Sequence, residues 1–134
     1  MQKFQNILLI DDDQTNNFLV KHMLNKINAV VNIHIALNGQ EGLYKIDEFS
    51  KAGIVLDLIF LDINMPVMNG FEFLDEYQKL PEECHSKTTI MMISSSVHPD
   101  DIKKINSYEC VDEFVEKPLT VQIIEELIEK AEFN

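Results

Sequence analysis

This chain is poor in cysteine, poor in basic charge and without a long apolar run, and each shortage removes a class of function. Its two cysteines, Cys84 and Cys110, are too few for a disulfide framework and too isolated for a zinc site. His22, His34, His85 and His98 share no metal-ligand spacing, so no chemistry is expected of them. The chain has 11 basic residues against 23 acidic ones, a formal net charge of −12. Such a balance repels nucleic acid and anionic membrane surfaces, so neither is an expected direct partner. No apolar run approaches transmembrane length, and no basic segment followed by an apolar stretch opens the chain as a signal peptide would. The expectation is a cytoplasmic protein.

With 134 residues, of which 46% are hydrophobic, the chain can bury the core of one ordinary domain, expected over residues 1–134. Short apolar runs alternate with helical patterns from end to end, the βα rhythm of a parallel sheet. The first run is Ile7–Ile10, and Asn32–Ala36 reads as a second strand. A third covers Asp57–Leu61, a fourth Ile90–Ile93, and Glu113–Glu116 a fifth. Between them, Val20, Met23, Leu24 and Ile27 recur at helical spacing, as do Leu43, Ile46 and Phe49. Asn38 is placed to cap a helix starting near Gly39, with Glu41 supporting its first turn. Gly70 opens a helix with Phe73, Leu74, Tyr77 and Leu80 on one side and Pro81 as its stop. Pro99 suits a first helical position, with Asp100 and Asp101 complementing the helix start. Thr120 is the expected N-cap of a last helix carrying Ile124, Leu127, Ile128 and Ala131. There is no repeat, low-complexity segment or linker.

Five βα units with right-handed crossovers imply a doubly wound three-layer sandwich with five helices. The order 2-1-3-4-5 would bring the ends of the first and third strands together at the switch point, where open α/β sheets place their chemistry. That matters because the strands end on reactive residues. Asp11, Asp12 and Asp13 follow the first, Asp62 ends the third, Ser94, Ser95 and Ser96 follow the fourth, and Lys117-Pro118 follows the fifth. Carboxylates supply hard oxygens for a divalent cation, while a hydroxyl and an ammonium suit phosphoryl oxygens. An aspartate needs no deprotonation to act as a nucleophile at neutral pH. Asp57, at the opposite edge of the sheet, reads as structural.

In order and spacing, Ile10-Asp11-Asp12-Asp13, Leu61-Asp62-Ile63-Asn64-Met65-Pro66 with Gly70, Ser94 and Lys117-Pro118 resemble the receiver domain of two-component response regulators. The resemblance covers essentially the whole chain and implies a flavodoxin-like, CheY-like fold. It implies that Asp62 accepts a phosphoryl group from a phosphohistidine on a histidine kinase or histidine phosphotransfer protein. Mg2+ would be the cofactor, with Asp12 and Asp62 as ligands, Asp11 supporting it through a water, and Asn64 offering its backbone carbonyl. Ser94 would bond the phosphoryl group, Lys117 would pair with a phosphoryl oxygen, and the bond to Pro118 would be cis. Ser94 and Phe114 would form the switch. The resemblance implies no enzyme beyond self-catalysed phosphorylation and dephosphorylation.

Three positions depart from the family's usual pattern. Phe114 stands where Tyr is frequent and lacks its hydroxyl, Cys110-Val111 replaces a frequent Gly-Ala step, and Ser94 replaces the commoner Thr. Phe18 falls off the helical stripe and reads either as a docking residue for the phosphotransfer partner or as a partly buried aromatic. Ile102, Lys103, Ile105, Asn106, Phe114 and Val115 would form the face read by a downstream protein target. Met1 and the short tail favour a complete, stand-alone regulator, monomeric or dimerising on phosphorylation. The alternatives are a receiver cut from a hybrid histidine kinase or longer regulator, and a pseudo-receiver that binds without being phosphorylated. A phosphatase using an aspartyl-phosphate would carry a second acid where Asn64 stands.

Overall fold

The computed structural model describes residues 4–95 and 98–132. Met1 and Ser96 lie outside the described residues. Five strands, β1 (Phe4–Ile10), β2 (Val30–Ala36), β3 (Leu58–Asp62), β4 (Thr89–Ser94) and β5 (Val111–Glu116), form one parallel sheet in the order β2-β1-β3-β4-β5. Among the described residues, five α-helices cross between them or follow: α1 (Gln14–Lys26), α2 (Gly39–Lys51), α3 (Gly70–Tyr77), α4 (Pro99–Asn106) and α5 (Val121–Glu132). This is the expected CheY-like doubly wound sandwich.

Alternation along the central strands divides the core into two layers. Ile7, Leu9, Leu58, Phe60, Met91 and Ile93 face α1 and α5, where they meet Val20, Leu24, Ile124, Leu127 and Ile128. Leu8, Ile10, Ile59, Leu61, Ile90 and Met92 face the other way, onto Ile46, Phe73, Leu74, Tyr77 and Ile105. Because β3 is buried on both faces, it reads in sequence as a continuous apolar run rather than an alternating one. Asp57 precedes it at the far edge, where its Oδ2 accepts the N–H groups of Gln5 and Asn6 at 2.8 and 3.0 Å. These two bonds support the structural reading of that residue.

The capping residues stand where the sequence places them. Asn38 Oδ1 accepts the Glu41 N–H at 2.9 Å, Thr120 Oγ1 accepts the Ile123 N–H at 3.2 Å, and Pro99 occupies the first turn of α4. Each satisfies or avoids a helix-start donor that would otherwise lack a partner. Two sequence expectations need correction. Helix α3 ends at Tyr77 rather than running to Pro81, and Leu80 sits in the turn that leads to a short 3-10 segment, Glu82–Cys84. Ile105 is 3% exposed and belongs to the core, so it is not part of any face a partner could read.

Gly70 fixes how the chain leaves β3. Its N–H bonds the Ile63 carbonyl at 2.8 Å, and a Cβ built on it would lie 2.5 Å from the Asp62 carbonyl oxygen and 3.0 Å from Ile63 Cα. Those neighbours are backbone and cannot rotate aside. Gly70→Ala is therefore expected to cost about 2 kcal/mol, the scale of overpacking a tight site, measured as a lower urea midpoint with unchanged slope. An unchanged midpoint would mean that the loop yields freely.

Candidate functional site

The site lies at the carboxyl end of the sheet, and strand register assembles it. Ile10 pairs with Leu61, which puts Asp11 level with Asp62. Asp62 pairs with Ile93, which sets Ser94 one step beyond it, and Ser94 pairs with Glu116, immediately before Lys117. Four sequence-distant motifs thus meet because parallel strands of similar length end together. Carboxylate oxygens of Asp11, Asp12 and Asp62 lie within 4.8 Å of one another. Asp11 and Asp62 are buried and Asp12 is exposed, so the cluster opens to solvent on one side.

Lys117 reaches this cluster from the end of β5. Its Nζ lies 2.9 Å from Asp11 Oδ2 and 3.8 Å from Asp62 Oδ1. The Lys117–Pro118 bond is cis, and the Lys117 N–H donates to the Ser94 carbonyl at 2.8 Å. Ser94 is fully buried beside it. Asn64 stands two residues past Asp62, exposed in the loop toward α3. That loop carries strain. Val67, a β-branched residue, has φ 67° and sits at the centre of a turn closed by the Met68 N–H on the Pro66 carbonyl at 2.7 Å. Such γ-turns are rare, and strained backbone of this kind clusters near functional sites.

The electrostatics of the cluster are unbalanced. Burial raises the Asp62 carboxyl from the ordinary 3.8 to about 7, and the charge of Asp11 adds to it, while Lys117 pulls it down. Burial opposes the charge on Lys117, but the hydrogen bond and charge of Asp11, with the charges of Asp62 and Asp13, outweigh it and raise its pKa. One ammonium faces three carboxylates, two of them buried. A hard divalent cation fits this donor set, because it would supply the missing charge to oxygen ligands that otherwise repel.

Sequence reasoning passes over two residues of this site, Asn16 and Asn17, since asparagine in the first turn of a helix usually reads as solvated. Asn17 is 3% exposed, and its Nδ2 holds the Asp11 carbonyl at 2.8 Å. Asn16 Nδ2 donates to Asp11 Oδ2 at 2.9 Å. The available signal was their place just after an acidic run, in the turn capped by Asp13, whose Oδ1 accepts the Asn16 N–H at 3.1 Å. Of the remaining expected residues, Phe18 is 68% exposed on α1. Phe114 is half-buried on β5 and packs against the layer that holds Ile105.

Comparison with known proteins agrees with this geometry. Residues 7–129 match the family model of the response regulator receiver domain. A two-component response regulator from Cytophaga hutchinsonii has a crystal structure that superposes with a TM-score of 0.89 at 32% identity, covering 99% of this chain and 100% of that one. The chain is 31% identical over 124 residues to hybrid signal transduction histidine kinase G of Dictyostelium discoideum, covering 92% of this chain but only 3% of that protein. It is 33% identical over 122 residues to the autoinducer 1 sensor kinase/phosphatase LuxN of Vibrio campbellii, covering 91% of this chain and 13% of that protein. The chain therefore spans a small part of these curated relatives. With strand-end carboxylates, serine and lysine gathered on a sheet of this order, the chain belongs to the response regulator receiver-domain family of two-component signalling.

Proposed function

We propose that Asp62 accepts a phosphoryl group from a phosphohistidine of a histidine kinase or phosphotransfer protein, and that the domain signals this state through protein contacts. The observation that carries this is the placement of Asp62. It is a buried carboxylate at the end of the central strand, with Asp11 and Asp12 within 4.8 Å and the Lys117 ammonium 3.8 Å away. An Asp62 oxygen attacks phosphorus, the P–N bond breaks, and its electron pair leaves with the imidazole, giving an aspartyl phosphate. Little covalent work falls to the protein in such a transfer, and orientation and charge stabilisation dominate.

Asp11, Asp12, Asp62 and the Asn64 carbonyl are the groups that would hold Mg2+, which when bound supplies the positive charge that phosphoryl oxygens require. Lys117 offers a second positive charge and Ser94 a hydroxyl to the same oxygens. The chain itself turns over no substrate, and its own acyl phosphate is the only species it hydrolyses. In the described residues no helix is long and apolar enough to cross a membrane. A cytoplasmic place, and a chain that is either a monomer or a phosphorylation-dependent dimer, belong to the same proposal.

The deciding experiment is incubation with acetyl phosphate and Mg2+, followed by intact mass. The expected result is a single phosphoryl adduct that requires Mg2+ and is lost in Asp62→Asn. Labelling that survives this substitution would put the phosphoryl group on another residue and overturn the role of Asp62, and none in the parent chain would leave a pseudo-receiver binding module as the reading. Phe18, exposed on α1, fits docking of the donor helices. Phe18→Ala is expected to slow transfer from a phosphohistidine donor and to leave acetyl phosphate labelling unchanged; equal slowing of both would remove docking as the explanation.

A second reading has its own support, since hybrid signal transduction histidine kinases are among the curated relatives and the chain matches only a small part of their length. In it, this chain is the receiver segment of a longer histidine kinase. Immunodetection of the endogenous protein separates the two: a band near 15.5 kDa favours a stand-alone regulator, and a much larger one the hybrid.

A further inference from the structure

Asp11 is bonded more heavily than a metal-supporting carboxylate requires. Its Oδ1 accepts the Asp13 N–H at 2.9 Å, and its Oδ2 accepts both Asn16 Nδ2 and Lys117 Nζ, each at 2.9 Å. Lys117 is thus seated on Asp11 and stands 3.8 Å from the nearer Asp62 oxygen. To serve a group added to Asp62, the ammonium must leave Asp11. Asp11 is 5% exposed, so water cannot readily replace the lost donor, and a buried acceptor left without one is costly.

Asn16 answers that cost. It is neutral, so it holds the oxygen without cancelling the charge that a cation would need. It sits in the first turn of α1 and not on the segment that carries Lys117, so it stays when Lys117 moves. Two donors on one oxygen also divide its lone-pair density, which weakens the grip on the ammonium. Resting on the reading of Asp62 as phosphoacceptor, we propose that Asn16 is a positioning residue that shares Asp11 Oδ2 with Lys117 and so releases Lys117 to the phosphoryl group.

The test measures acetyl phosphate labelling against Mg2+ concentration in the full chain, for the parent, Asn16→Leu and Asn16→Gln, each also in a Lys117→Ala background. Leucine keeps the branched shape of asparagine, at a larger volume, and removes its donor; glutamine keeps the donor. Asn16→Leu is expected to lower the maximal rate on the order of ten-fold, the worth of one hydrogen bond to a charged group. The Mg2+ concentration giving half-maximal rate stays the same, Asn16→Gln recovers most of the rate, and the loss disappears when Lys117 is absent. An unchanged rate would overturn the proposal. So would a loss expressed wholly as a higher Mg2+ requirement, or one that persists beside Lys117→Ala, since Asn16 would then only prop Asp11. Should Asn16→Leu fail to fold, Asn16→Ala serves for the same comparison. Failure of the parent to label would sink the phosphoacceptor reading instead, so the two failures are distinct.

Discussion

Lys117→Ala is expected to be less stable than the parent chain by about 3 kcal/mol at pH 8 without divalent metal, because removing one partner strands a buried ion pair. Lys117 is the cation that contacts both Asp11 and Asp62 among the described residues, and its side chain is only 13% exposed. Once it is gone, two buried carboxylates face each other with Asp12 alongside. The deficit should shrink toward pH 6, because Asp62, raised to about 7 chiefly by burial, then takes up a proton and needs less compensation. Mg2+ should narrow it as well, by binding the folded state and supplying charge. Labelling by acetyl phosphate is expected to fall roughly 100-fold, the usual loss on removing one preorganised charge donor. Urea unfolding at the two pH values checks the first part, and intact mass over time the second. A deficit independent of pH would show that Lys117 contributes packing and not charge.

Asp62→Asn is expected to do the opposite to stability while abolishing phosphorylation. In the folded chain the Asp62 carboxyl titrates at about 7, against an ordinary 3.8. Below the lower value it is protonated in both states and contributes nothing. Between the two the unfolded chain gives up its proton while the folded chain keeps it, so this residue's contribution falls as pH rises. Above 7 both states are ionised and the penalty is complete, with an upper limit of about 4 kcal/mol. Asparagine carries no charge to bury. The stability difference between Asp62→Asn and the parent should therefore grow from pH 4 to pH 7, then level off, when both are unfolded in chelator. With Mg2+ present the order should tighten or reverse. The parent gains about 2.7 kcal/mol when the ion is at 100 times its dissociation constant, whereas the variant has lost a ligand. Parallel pH curves in chelator would mean that Asp62 is not held against its charge.

These two expectations show a site that holds energy against itself. Asp62 is buried where burial is unfavourable, and Lys117 is occupied with Asp11 rather than with Asp62. Both conditions are relieved by the cation and the group that the proposed reaction brings. Strain in the Val67 turn lies in the same loop, between Asp62 and the helix opened by Gly70.

The chain's sequence by itself determines the sheet, because Ile7–Ile10, Leu58–Leu61 and Ile90–Ile93 are apolar runs too short for helices, and each stops at a polar residue. It determines the helix starts too, since Asn38, Thr120 and Pro99 act on donors within three or four residues of themselves. The motifs at the strand ends were legible for the same reason: parallel strands that begin and end together bring their last residues to one edge. Only the tertiary structure decided where α3 stops, because Leu80 answers to packing against the core and not to local periodicity. It alone placed Ile105 in the core, since an apolar residue on a helix rich in charge faces in or out according to what lies beneath it. It alone drew Asn16 and Asn17 into the site, because their partners are set by how α1 returns over the end of β1. Seating Lys117 on Asp11 before Asp62 was likewise beyond the sequence. That choice rests on a difference of 0.9 Å between two oxygens, 2.9 against 3.8 Å, contributed by strands about fifty residues apart.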